Sequence, residues 1–250
     1  MWLLGAPDPE MEAIEGLLRG LGETVVHAAA AGRRVHAGVA YRADAPALDC
    51  DELIAVECGG QWSANRLIDH HRPGDPGYGQ PPERFFAASS IGQVVHLLGE
   101  LRLLPEGWTM PPEYVLIAAA DHCLAAAYQG TCPGVDPGAL MTYRVRQRAA
   151  FQRRPEAAVM AEIEAATAAL RAAPRDEDGV AVLASPVAEC PEAAARLGLA
   201  FRVTLDERGQ RKEVLQAASP DQVRAFMARH EAAGRSPYGD PARGFAGCIL

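Results

Sequence analysis

The sequence predicts an α/β fold: a mainly parallel sheet flanked by helices, followed by a second, smaller α/β domain. Two observations lead there. Through the first 140 residues, short apolar runs alternate with amphipathic stretches of helical period, as strand-helix-strand units require. A shorter alternation of the same kind begins near residue 179, after a long stretch rich in Ala, Arg and Glu. The expected divisions are a first domain over residues 1–140, a helical connector over 141–178 and a second domain over 179–250.

Trp2 to Ala6 reads as a strand, Pro7-Asp8-Pro9 as an acidic turn, and Glu10 to Leu21 as a helix with Met11, Ile14, Leu17, Leu18 and Leu21 on its apolar face. Strands are expected at Glu23 to His27, Arg34 to Tyr41, Leu53 to Glu57 and Arg66 to Ile68, each bounded by Gly, Pro, Asp or Asn. Helices are expected at Ser89 to Leu101 and Glu113 to Tyr128. The connector reads as helix from Met141 to Ala173 with a break near Pro155. Beyond it come a strand (Val180 to Ala184), a helix opening at Pro191, and two strands (Ala200 to Leu205, Lys212 to Gln216) around a turn at Asp206 to Gly209. Ser219-Pro220 opens a further helix, with Ser at the cap and Pro at the first helical position, and Phe245 to Leu250 reads as a last strand.

At 49% apolar and 22% charged, the 250-residue chain has material for a buried core. Its net charge of -8 argues against a broad surface for long nucleic acid, which needs an excess of Lys and Arg, and leaves short nucleotides and small phosphorylated metabolites open. The six cysteines form no CxxC pair, so reduced thiols in a cytoplasmic protein are expected rather than a zinc knuckle or a disulfide scaffold. No apolar run reaches the roughly 20 residues of a membrane span, and Met1 to Ala6 lacks the features of a signal peptide.

The chemistry concentrates where apolar runs end in acids. Leu67-Ile68 runs into Asp69-His70-His71, delivering one carboxylate and two imidazoles to a sheet edge. Asp8 with Glu10 follows Trp2 to Ala6, Glu57 follows Leu53 to Val56, and Asp121 follows Val115 to Ala120. Acids at strand ends converge on one crevice in such sheets, and a cluster of this kind repels itself unless cations fill it. The plain alternative for each acid is a helix cap, which suits Asp8 and Glu12. Arg72, directly after the histidine pair, is the best-placed phosphate contact; Arg144, Arg146 and Arg148 do not share one helical face and read as solvated surface.

With these residues in view, the chain resembles the DHH phosphoesterase superfamily, whose members include manganese-dependent inorganic pyrophosphatases, oligonucleotide phosphatases, cyclic dinucleotide hydrolases and single-strand exonucleases. Pro7-Asp8-Pro9-Glu10 looks like the latter half of the first motif with Glu10 for its second Asp, Glu57 stands for the Asp of the second, Asp69-His70-His71 is the third intact, and Asp121 matches the fourth. Leu4 stands where the first motif has a His, so one metal position is weakened or differently completed. His122 is a candidate substitute or substrate contact. The stretch Tyr238 to Gly247 resembles the Gly-rich element of the associated C-terminal domain, which in relatives faces the metal site.

The resemblance implies a metal-dependent hydrolase of a small phosphorylated substrate such as a nucleotide or short oligonucleotide. Mn²⁺ or Mg²⁺ would sit on Asp8, Glu10, Glu57, His70 and Asp121, with Asp69, His70 and His71 catalytic and Arg72, His122, Gly239, Arg243 and Gly244 at the substrate. A homodimer is compatible with it. Two rivals stand beside this reading: a regulatory binding protein that lost catalysis, suggested by Leu4, and an enzyme using a thiol at Cys58 or Cys123, which acidic neighbours disfavour.

Overall fold

The computed structural model describes residues 1–47, 50–207, 209–241 and 244–250. They form two compact units, one of Met1–Cys123 with Cys132–Asp136, the other of Leu124–Thr131 with Pro137–Leu250.

The first unit is built on four parallel strands. β1 (Trp2–Leu4) leads into α1 (Pro9–Gly20), then β2 (Val25–His27), a small hairpin of β3 (Ala29–Ala30) and β4 (Arg33–Arg34), β5 (Ile54–Val56) and β6 (Arg66–Ile68). The sheet order is β2-β1-β5-β6, so the two central strands are β1 and β5, whose side chains are buried throughout. That burial explains their unbroken apolar runs: strands covered on both faces show no polar alternation. Leu3 and Ala55 pack on one face with Ala28, Val35, Ala40 and Cys58. α1, α3 (Ser90–Glu100) and α4 (Glu113–His122) pack together, with the short α2 (Phe85–Ala88) set against α3 and α4.

Two expectations change here. Arg34 to Tyr41 is not a strand; after β4 it turns through His36 to Val39 and ends in a single 3-10 turn over Ala40–Arg42. The helix expected from Glu113 to Tyr128 breaks at Cys123, whose φ of -151° and ψ of 47° leave the helical region.

The second unit holds α5 (Leu124–Tyr128), α6 (Pro137–Gln152), α7 (Glu156–Ala172), β7 (Ala181–Leu183), α8 (Cys190–Leu197), β8 (Phe201–Glu207), β9 (Gln210–Gln216), α9 (Pro220–Ala232), β10 (Tyr238–Asp240) and β11 (Phe245–Ile249). Its sheet order is β10-β11-β9-β8-β7, with β7 and β8 parallel and the other pairs antiparallel. Ser219 caps α9 in a reciprocal box with Gln222. Most of the stretch read as a connector is core material of this unit. Val145, Ala149, Val159, Ile163, Ala166 and Leu170, from α6 and α7, pack with residues of β7, α8, β8 and β9. Arg144 and Arg148 are not a solvated face either. One turn apart on α6, they pair with the buried Glu192 of α8 and the buried Glu189 just before it, Arg144 at 2.9 Å.

Candidate metal centre

The strands of the first sheet are parallel and end at one edge, where Asp8 follows β1, Glu57 follows β5 and Asp69 follows β6. After β1, Asp8 adopts extended backbone and caps α1, its Oδ1 accepting the Met11 N–H at 2.7 Å. Two residues on, Glu10 is 1% exposed. Its Oε1 accepts the Ile91 N–H at 3.0 Å, satisfying one of the donors left over at the start of α3. After β5, Glu57 takes φ 50°, a left-handed conformation costly for a residue with a Cβ and characteristic of constrained sites. Gly5 makes room for it. A Cβ there would stand 2.3 Å from the Glu57 carbonyl oxygen, so no other residue fits without displacing that backbone.

After β6, Asp69 is fully buried and saturated. Its Oδ1 accepts the backbone N–H groups of His70 (2.7 Å) and His71 (3.0 Å) and pairs with His71 Nδ1 (2.9 Å), while Tyr41 donates its hydroxyl to Oδ2 at 2.9 Å. Asp121 arrives from the last turn of α4, not from a strand. A helix carboxyl end is a poor place for a negative charge, which a nearby cation corrects.

These elements bring four groups together: Glu10, Glu57, His70 and Asp121. His70 Nε2 lies 2.9 Å from Asp121 Oδ2, 3.4 Å from Glu57 Oε1 and 3.7 Å from Glu10 Oε2. Glu10 Oε2, Glu57 Oε1 and His70 Nε2 are buried and make no hydrogen bond. Glu57, His70, His71 and Asp121 each present a ligand atom within 4.8 Å of the others.

The hydrogen-bond network assigns the tautomer. His122 Nε2 faces the Gln80 carbonyl at 3.2 Å, an acceptor, so it carries the proton and leaves Nδ1 bare. His70 Nδ1, 2.9 Å from that bare nitrogen, must be the donor. With His70 neutral, as a bound cation would require, its Nε2 turns a lone pair toward three carboxylate oxygens. Lone pairs facing lone pairs in a buried site call for a cation between them. The donor set of carboxylates and one or two imidazoles suits a hard or borderline divalent ion.

The electrostatics of these side chains point the same way. Burial, with Glu57 and Asp121 nearby, pushes Asp8 up to about 7. Burial, with Asp121 and Glu57, drives Glu10 well above the usual carboxylate range. Burial opposes a charge on His70, yet Asp121 and Glu57 hold its proton to about 10. Without a metal, protons stand in for it. Asp69 behaves differently: burial disfavours its charge, but His71 and Tyr41 hold it below the ordinary value, so it stays an anion.

No protein-family model matches the sequence, nor does any curated protein. Among solved structures the chain is similar to a pGpG-specific phosphodiesterase, PggH from Vibrio cholerae, at 10% identity and a TM-score of 0.44, over 100% of this chain and 92% of that one. At a TM-score below 0.5 the likeness bears on neither family nor activity.

Leu4 is fully buried in β1 and offers no ligand. His122 does not take the missing histidine's place or turn to a substrate; both its ring nitrogens are engaged, and it orients His70. Arg72 stacks its guanidinium 3.5 Å over the Tyr41 ring, with its side chain 48% exposed. Gly239 lies within β10 of the second unit, and Gly244 (φ 68°) accepts the Ala218 N–H at 3.0 Å. Arg243 lies outside the described residues. Cys58 and Cys123 are not poised as catalytic thiolates, since burial pushes the first thiol up to about 12 and raises the second further. Tyr41 is the residue that sequence reading missed. Its neighbours gave no signal, because its partner lies 28 positions away.

Proposed function

We infer that this chain is a metal-dependent phosphoester hydrolase of the DHH type, acting on a small phosphorylated substrate such as a short oligonucleotide or dinucleotide. The observation that carries this reading is the trio of buried, hydrogen-bond-free atoms Glu10 Oε2, Glu57 Oε1 and His70 Nε2, gathered beside Asp121. Glu10, Glu57, His70 and Asp121 would hold the ion, Mn²⁺ or Mg²⁺, and the second oxygen of Asp8 would assist. When bound, such an ion lowers the pKa of water toward 7 and offsets phosphoryl charge.

The remaining residues supply orientation and protons. Glu10 keeps its free oxygen in place by tying the other to α3. His122 holds His70 in the tautomer that exposes Nε2. Asp69, anchored by Tyr41, grips His71 at Nδ1, so that Nε2 is the ring position left to exchange a proton with a substrate oxygen. Arg72, held flat on Tyr41, offers a guanidinium to an anion.

The test is hydrolysis of a panel of mononucleotides, dinucleotides and a generic phosphodiester with Mn²⁺ present. Turnover is expected for the wild-type chain and not for His70→Ala, with circular dichroism unchanged. Equal turnover by His70→Ala refutes the role of His70. A second reading, a regulatory binder without catalysis, is favoured by buried Leu4. Metal analysis separates the two: less than one equivalent of ion after reconstitution supports the binder.

A further inference from the structure

The thiols of Cys123 and Cys132 lie 2.9 Å apart, both within the first unit, and neither has a part in the chemistry above. We propose that these two cysteines form a reversible disulfide that fixes the carboxyl end of α4 and so slows release of the cation at Asp121; the second half of this proposal rests on the reading of the site given above.

The geometry favours the bond. A disulfide joins its sulfurs at about 2.05 Å, so closure needs a movement of about 0.9 Å. Cys123 is the residue at which α4 stops, its N–H still donating to the Ala119 carbonyl at 3.2 Å. Immediately before it stand Asp121, one of the converging acids, and His122, which orients His70. Helix ends fray, and a covalent tie at this one would hold a metal ligand and a positioning residue together. Cys132 is 3% exposed and Cys123 partly exposed, so Cys123 is the sulfur an oxidant reaches first.

A hydroperoxide completes the balance. The Cys123 sulfur attacks one peroxide oxygen, the O–O bond breaks, and Cys123 becomes a sulfenic acid. The Cys132 sulfur then attacks the Cys123 sulfur, expelling the hydroxyl group and forming the S–S bond. With hydrogen peroxide the two thiol protons leave in two molecules of water, and two electrons pass from the sulfurs to the oxidant. A dithiol reductant reverses the change.

The experiment uses the full chain, stripped of metal and treated with hydrogen peroxide. Non-reducing peptide mapping is expected to show an intramolecular Cys123–Cys132 link, absent after dithiothreitol and absent in Cys132→Ser. Both samples are then loaded with Mn²⁺ and mixed with a chelator. The oxidised wild-type chain is expected to release the ion about threefold more slowly or better, with no peroxide effect on Cys132→Ser. Absence of the linked peptide overturns the disulfide. A linked peptide with unchanged release overturns its regulatory half. If the reduced chain binds no Mn²⁺, the reading of the site fails and the regulatory half with it, while the mapping still decides the disulfide.

Discussion

Replacing His122 by Phe tests whether a residue that touches no ligand atom controls metal affinity. Phe keeps the ring volume but removes two hydrogen bonds, the one from His70 Nδ1 at 2.9 Å and the one to the Gln80 carbonyl at 3.2 Å. The His70 side chain is 4% exposed, so water does not replace the lost partner. An unpartnered buried donor costs about 1–3 kcal/mol, and loss of the group that orients a metal-binding histidine costs about 10- to 100-fold in affinity, or about 1.4–2.7 kcal/mol. The two ranges describe the same bond and do not add. The expected result is a rise of that size in the Kd for Mn²⁺ by isothermal titration calorimetry, with the far-ultraviolet spectrum preserved. A Kd within about twofold of wild type would show that His122 does not set the His70 tautomer.

Further outcomes follow from the same geometry. In metal-free protein the raised values of Asp8 (about 7), Glu10 and His70 (about 10) mean that the folded chain holds protons the unfolded chain has already released. Metal-free stability is therefore lost as pH rises from about 4 toward 10, while ion binding, which displaces those protons, strengthens; the Tm gap between Mn²⁺-loaded and chelator-treated protein should widen from about pH 5.5 to about pH 8, and a constant gap refutes the proton-for-metal exchange. Gly5→Ala drives a methyl to 2.3 Å from the Glu57 carbonyl, so a destabilisation of about 1–3 kcal/mol is expected in urea melts, accompanied by weaker Mn²⁺ binding; unchanged binding would free Glu57 from the site. Tyr41→Phe removes a hydrogen bond to the buried anion Asp69 and should cost about 1.5–3 kcal/mol at neutral pH. Because the Asp69 value is depressed, its contribution is present above the unfolded carboxylate pKa and lost as pH falls through the folded one, so the variant's deficit should shrink in acid.

The local pattern of the chain was enough to locate β1 and β5, because strands buried on both faces must be apolar, while β6, an edge strand exposed at Arg66 and Leu67, was marked by the Asp69-His70-His71 run that ends it. The helical period also placed Asp121 in a helix, which the structure ends at His122 rather than at Tyr128. The local pattern took α6 and α7 for a connector, because their Ala-rich, weakly amphipathic sequences conceal the face that packs in the second unit.

The sequence by itself determined that Asp8, Glu57 and the run Asp69-His70-His71 follow strands of a parallel sheet and that Glu10 lies at the start of the first helix, for strand period and turn residues act over a few neighbours. Only the tertiary structure decided which atom of each is spent and which is left over. Asp8 Oδ1 is used by its own helix, Glu10 Oε1 by an N–H 81 residues away, His70 Nδ1 by a ring 52 residues away, and Asp69 by a hydroxyl 28 residues away. Hydrogen-bonding capacity is fixed by residue type, but its allocation depends on partners that meet only when the chain has folded, and what is left unallocated is what can bind an ion.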